Sequence, residues 1–151
     1  MRALIQRVAW AEVAVEGSIV GRTGHGLLVY ISIAPTDTPR DAQWMAEKVA
    51  SLRIFEDENS KMNRSVQDVG GGVLVISNFT LLADAQKGRR PSFMGAAPAD
   101  LAEPLTDAFF EALVGQGLRA ETGRFGASMA VRSEAAGPVN ILLDSPAAPG
   151  V

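Results

Sequence analysis

Gly26-Leu27-Leu28-Val29-Tyr30-Ile31-Ser32-Ile33 is a near-continuous apolar run, bounded by Gly26 on one side and by Pro35 on the other. Its length and β-branched content fit a strand buried on both faces. Thr38-Pro39-Arg40-Asp41 follows. It supplies an N-cap hydroxyl, a proline at the first helical position and an acid at the third, which together signal a helix start. Ala42, Met45, Val49 and Leu52 then recur at spacings of three and four, so one face of that helix is expected in the core.

Upstream of this unit, Glu12-Val13-Ala14-Val15-Glu16 alternates with a strand period. Gly17-Ser18 provides a turn before Ile19-Val20, and the segment reads as a hairpin. Downstream, Gly70-Gly71-Gly72 precedes Val73-Leu74-Val75-Ile76, a short strand whose end carries Ser77-Asn78-Phe79-Thr80 to the sheet edge. A second helix is expected from about Pro98. Leu101, Leu105, Ala108 and Ala112 form its stripe, with Phe109 and Leu113 adjoining, and Gly115 and Gly117 close it. Three more strands are expected at Leu118 to Thr122, Ser128 to Arg132 and Val139 to Leu143.

This order predicts one compact domain over residues 1–145, of α/β or α+β class. It should have a mostly antiparallel sheet or open β-barrel and two main helices. Residues 146–151, rich in proline and alanine, read as a frayed C-terminal tail. Strand edges in so small a protein need cover, and a homodimer is a natural way to supply it.

With 151 residues and 47% hydrophobic content, the chain can build one ordinary core. It contains no cysteine, which excludes disulfides, thiolate nucleophiles and cysteine-held metals. The N-terminus lacks a signal-peptide pattern and no run approaches a membrane span, so the chain is read as soluble and cytoplasmic. A net charge of -3 argues against a protein that coats nucleic acid through bulk positive charge. Any RNA contact must therefore be local. Lys87-Gly88-Arg89-Arg90, with Lys61 and Arg64, is the candidate patch, although such a cluster is also what an ordinary solvated loop looks like.

Side-chain chemistry is sparse. The single histidine, His25, lies in Gly24-His25-Gly26 and reads as a turn residue; nothing in the sequence places it beside Ser77 or Thr80 for a catalytic triad. One histidine with scattered carboxylates supports no metal centre and no cofactor. Glu56-Asp57-Glu58 reads as a solvated loop, because three consecutive acids do not converge. Ser77-Asn78-Phe79-Thr80 is rich in hydroxyl and backbone donors, which fits ordinary capping as well as a site. Gly137-Pro138 on its own reads as a turn with a trans bond, cis being the minor form.

At these loops the chain resembles the D-aminoacyl-tRNA deacylase family, and the likeness runs from Met1 to about Ser145. It is carried by Gln6-Arg7-Val8, Gly26-Leu27-Leu28-Val29, Leu52-Arg53-Ile54-Phe55-Glu56-Asp57 and Lys61-Met62-Asn63. Ser77-Asn78-Phe79-Thr80-Leu81, Lys87-Gly88-Arg89-Arg90-Pro91-Ser92-Phe93 and Gly123-Arg124-Phe125-Gly126-Ala127 complete it. The resemblance implies that family's α/β fold, a homodimer with active sites at the subunit interface, and an aminoacyl-tRNA substrate with no membrane and no cofactor.

The implied reaction is hydrolysis of the ester of D-aminoacyl-tRNA and of glycyl-tRNA, with the terminal ribose 2′-hydroxyl assisting water. By position, the Phe79 N–H is the implied oxyanion donor, and Ser77, Asn78 and Thr80 accompany it. Gly137 and Pro138, with Ala136, match a chirality filter that inserts a cis peptide into the other subunit's pocket, and Arg7 matches the arginine that holds it. Lys87, Arg89, Arg90 and Phe93 are the implied tRNA contacts. The family usually has Gln at the position of Asn78, and Asn-x-Gly-Pro-x-Thr where this chain reads Ala135-Ala136-Gly137-Pro138-Val139-Asn140. Those departures leave two other readings open: an editing deacylase that also accepts L-aminoacyl esters, and a non-catalytic module that binds tRNA ends.

Overall fold

The computed structural model describes residues 1–146. The tail expected at 146–151 lies, apart from Pro146, outside the described residues. Three strands open the chain: β1 (Arg2–Val15), β2 (Ser18–Thr23) and β3 (Gly26–Ser32). Helix α1 (Pro39–Ser51) follows, then a small hairpin of β4 (Phe55–Glu56) and β5 (Met62–Arg64), and then β6 (Gly72–Ser77). A 3-10 turn at Phe79–Leu82 and helix α2 (Ala99–Gly115) lead into β7 (Arg119–Thr122) and β8 (Ala130–Asp144).

β1 organises the sheet. Along one edge it pairs antiparallel first with β3, from Arg2 opposite Ser32 to Val8 opposite Gly26, and then with β2, from Ala11 opposite Thr23 to Val15 opposite Ser18. β2 and β3 thus act as one interrupted strand. β8 pairs antiparallel with β1 from Arg2 opposite Asp144 to Ala14 opposite Ala130, with register shifts around Val8. At those shifts β1 changes the face it presents. Ala3 and Ile5 join the core beneath the helices, whereas Val8, Ala11 and Val13 join a second core on the other side of the sheet. Irregular pairing of this kind bends a strand, and here it curls the sheet toward a barrel.

The sheet is mostly antiparallel, as expected, through the pairs of β1 with β2, β3 and β8, but it is mixed: β3 with β6 and β6 with β7 run parallel. The reason is topological. α1 and α2 serve as the long crossovers that parallel neighbours require. Near closure follows because β7 returns to β2, where a Cβ added at Gly21 would lie 2.7 Å from Thr122 O.

The apolar run behaves as its composition predicts. Leu27, Val29 and Ile31 pack with α1 and α2, while Leu28 packs with Val13, Leu74 and Ile76 inside the curl. Gly26 and Gly72 sit opposite one another where β3 and β6 begin. A Cβ at Gly26 would fall 2.0 Å from Gly72 O, so the parallel pair closes only with glycine there.

Helix α1 starts as the sequence predicts: Thr38 is the N-cap, Pro39 the first helical residue, and the Asp41 carboxylate accepts from the Thr38 N–H at 2.9 Å. Helix α2 begins after Pro98 and buries Leu105, Thr106, Phe109 and Leu113; Leu101, Ala108 and Ala112 of the expected stripe are half-buried beside them. Two of the three late strands expected from the sequence, Ser128 to Arg132 and Val139 to Leu143, are one strand, β8. Gly137-Pro138 sits within it as a cis peptide bond, where the sequence alone reads as a trans turn. Glu56 belongs to β4, and Asp57 organises the following turn by accepting from the N–H groups of Asn59 and Lys61.

Candidate functional site

Where β6 ends, the chain leaves the sheet through Asn78. The Asn78 N–H donates to Ile31 O at 2.8 Å, which extends the parallel ladder by one bond. Its side-chain Oδ1 then accepts from the Thr80 N–H at 3.2 Å and from the Thr80 hydroxyl at 2.5 Å, capping the 3-10 turn. Among the described residues, the Phe79 N–H between them has no protein acceptor. Helical turns leave such donors open at their first positions, and this turn follows directly on β6, one of the central parallel strands.

A cavity of about 510 Å³ opens at this point. Ser77, Asn78 and Phe79 contribute to its wall, with Tyr30 and Ser32 from β3, Thr106 from α2, and Phe125 and Met129 ahead of β8. No Asp, Glu, His, Lys or Arg lines it; its one titratable residue is Tyr30, and burial pushes that phenol above its ordinary value. The cavity therefore holds no side chain suited to general-base work near neutral pH. Thr80 is not among its lining residues, since its hydroxyl is turned into the bond with Asn78. Among the described residues, no group of His, Cys, Asp and Glu is arranged to hold a metal.

The second predicted cluster assembles elsewhere. Arg7 donates through Nε to Ala136 O at 2.9 Å and through Nη1 to Ile54 O at 2.7 Å, tying the Gly137 segment of β8 to the residue just before β4. Asn140 meets Gln6 across the ladder, with Gln6 Nε2 donating to Asn140 Oδ1 at 2.8 Å. Gly137 has a φ of +134°, and an added Cβ would meet Val139 at 2.9 Å and the Arg7 guanidinium at 3.1 Å. Arg7, Ala136 and Gly137 line a separate cavity together with His25 and share no lining residue with the Phe79 cavity. His25 packs edge-on against Phe55 at 5.2 Å, so within one chain it is not a partner for Ser77 or Thr80.

Lys87, Arg89 and Arg90 lie on an exposed loop closed by the bridge between Asp84 and Ser92. None of the three forms an ion pair among the described residues. Arg64, grouped with them from the sequence, donates instead to Asp68 O at 2.6 Å. Phe93 follows the loop, and its ring meets the Phe79 ring edge-on at 5.1 Å. Sequence reasoning missed Tyr30, Thr106 and Met129 as cavity lining. They come from three distant elements and carry no motif, whereas Phe125 lies in a stretch the resemblance does include.

A nearly closed mixed barrel with two helices, and a cavity lined by the Phe79 turn and by no acidic side chain, basic side chain or histidine, define the class. The family profile described as D-Tyr-tRNA(Tyr) deacylase matches residues 4–144. A D-aminoacyl-tRNA deacylase from Deinococcus deserti is 57% identical over 97% of this chain and 100% of its own length. One from Thermus aquaticus is 52% identical over 99% of both. A solved structure described as c-Myc DNA unwinding element binding protein superposes with a TM-score of 0.90 at 38% identity, covering 97% of this chain and all of the other. Another, described as a probable eukaryotic D-amino acid tRNA deacylase, has a TM-score of 0.81 at 19% identity over 94% and 97% of the two chains, which speaks to the fold alone. The chain belongs to the D-aminoacyl-tRNA deacylase family.

Proposed function

We propose that this protein hydrolyses the ester of D-aminoacyl-tRNA, and of glycyl-tRNA mischarged on tRNA-Ala, to free amino acid and tRNA, a chiral proofreading step in translation. The observation that carries this reading is the Phe79 cavity, which offers an open main-chain donor and no side-chain base. In the proposed reaction a water oxygen attacks the ester carbonyl carbon, assisted by the substrate's terminal 2′-hydroxyl. The carbonyl oxygen takes up negative charge opposite the Phe79 N–H. The bond to the ribose 3′-oxygen then breaks, and that oxygen leaves with a proton that originated on water. A single donor of this kind is worth about 10²–10³ in rate. Ser77 and Asn78 shape the cavity wall around it, and Thr80 supports it through Asn78.

Selectivity is assigned to the second loop. Gly137 and Pro138, with the Ala136 carbonyl gripped by Arg7, act as a filter that crowds an L side chain and leaves room for a D side chain or for glycine. This loop and the Phe79 cavity share no lining residue within one chain, so the filter is assigned to the partner of a homodimer. Support for association comes from β8, which pairs only with β1 among the described residues and presents an exposed Leu142. An uncovered edge of that length invites pairing. Lys87, Arg89, Arg90 and Phe93 contact the tRNA. The protein works in the cytoplasm, in keeping with the absence, among the described residues, of any helix long and apolar enough to cross a membrane.

The test is hydrolysis of D-aminoacyl-, L-aminoacyl- and glycyl-tRNA by the purified protein. Rapid turnover of the D ester, measurable turnover of the glycyl ester and background turnover of the L ester are expected. Equal rates on D and L esters would reject the filter, and no turnover of any ester would leave a binding module.

A further inference from the structure

Three of the chain's large exposed apolar side chains fall at one place: Phe79 is 57% exposed, Phe93 40% and Met94 90%. Burial could remove them from water elsewhere in the fold, yet two are held in fixed positions at the surface. The Phe79 and Phe93 rings brace one another edge-on. The backbone after Phe93 turns back on itself, with the Ala96 N–H donating to Phe93 O at 3.0 Å, and is pinned to the end of β3 by Ala97 N–H donating to Ile33 O at 2.8 Å. On the other side the bridge between Asp84 and Ser92 closes the loop that carries Lys87, Arg89 and Arg90. A partly exposed ring that touches the cavity-lining Phe79, a projecting thioether next to it in the chain, and three exposed cations without an ion pair among the described residues thus fall within the eight residues from Lys87 to Met94. Aromatic platforms beside a cationic track are how single-stranded nucleic acid is held, through base stacking and phosphate contact. Thioethers stack favourably on π systems as well.

We propose that Phe93 and Met94 form a stacking platform for the unpaired nucleotides immediately preceding the esterified adenosine, with the loop cations on their phosphates. This deepens the proposed deacylase function and rests on it. The occupant is single-stranded RNA because the apolar faces are flanked by three exposed cations, which complement a phosphate chain. Since the Phe93 ring abuts the Phe79 ring, a base stacked on the platform also steadies the residue whose N–H serves as the oxyanion donor.

Two measurements test it. The first is the ratio of kcat/KM on D-aminoacyl-tRNA to that on D-aminoacyl adenosine, which lacks the preceding nucleotides. Phe93→Ala and Met94→Ala should each lower this ratio about fivefold or more, and Phe93→Trp should restore it. An unchanged ratio in both alanine variants overturns the platform, as does an equal loss on both substrates. The second is independent of turnover: a 3′-terminal RNA trinucleotide with 2-aminopurine at its middle position should be quenched by the wild type and not by the double alanine variant. Quenching without hydrolysis of any ester would sink the proposed function and leave the platform standing. Hydrolysis without quenching would do the reverse.

Discussion

Asn78 shows how one residue carries both the local fold and the site. Its main chain extends the β3 to β6 ladder while its side chain caps the turn that leaves the Phe79 N–H open. Asn78→Ala should therefore loosen that turn by about 1 kcal/mol, the usual worth of such a cap, and lower kcat without a matching rise in KM. Thr80→Ala should keep activity within about tenfold, since one hydrogen bond of about 1 kcal/mol is lost and no hydroxyl nucleophile is required. Steady-state kinetics on both variants checks this; complete loss in a folded Thr80→Ala protein would count against a main-chain site. At Gly137, φ and the neighbouring atoms leave no place for a Cβ. Gly137→Ala should disturb the Arg7 grip by about 1 kcal/mol or more and lower D over L discrimination roughly tenfold in a paired-substrate assay.

Among the elements, the central strands were the most legible. The run from Gly26 to Ile33, the capping signals of α1 and the start of α2 all read directly from residue type and spacing, because each is a local effect. β1 was legible only at its end, from Glu12 to Val15. Arg2, Gln6 and Arg7 interrupt the alternation of its first half, and the face switch near Val8 follows from pairing with β8, a partner more than a hundred residues away. The parallel register of β3 and β6 was hidden for the same reason; Gly26 and Gly72 marked only where the two apolar runs begin, and their close approach is seen in the structure alone. Gly26→Ala should cost about 3 kcal/mol or more in urea unfolding, since overpacking against backbone has no cheap relief.

β8 also closes the ends of the chain. Asp144 accepts from Arg2 at 2.7 Å and 3.0 Å, and that hydrogen bonding, with the guanidinium charge, holds the carboxyl below its ordinary value. A folded value that is depressed means the contribution is present above the unfolded value, about 3.9, and is lost as pH falls through the folded one. Both side chains are substantially exposed, so Asp144→Asn should cost only about 0.5 kcal/mol at pH 7. Chemical unfolding across pH should show that difference vanish in acid below the folded value.

At the scale of the whole molecule, the separation of two clusters is the central fact. Ser77, Asn78 and Phe79 line one cavity, and Arg7, Ala136 and Gly137 line a second that shares no residue with it; the proposed homodimer is the arrangement that would bring the two together. Motif spacing placed each cluster but carried no information about the interval between them, which the curled sheet sets. The acidic net charge does not oppose the proposed RNA substrate, because the contacts assigned to the exposed loop cations are local and need no basic surface overall.

The account's central claim is that the protein offers donors and geometry while the RNA brings the group that assists water. It is tested most directly by single-turnover hydrolysis of D-aminoacyl-tRNA ending in ribo-adenosine against the same tRNA ending in 2′-deoxyadenosine, with the amino acid on the 3′-oxygen in both. The expected result is retained binding with a chemical step at least about 10² slower for the deoxy substrate, the low end of general acid–base assistance. Equal rates for the two would place the assisting group in the protein and contradict the account.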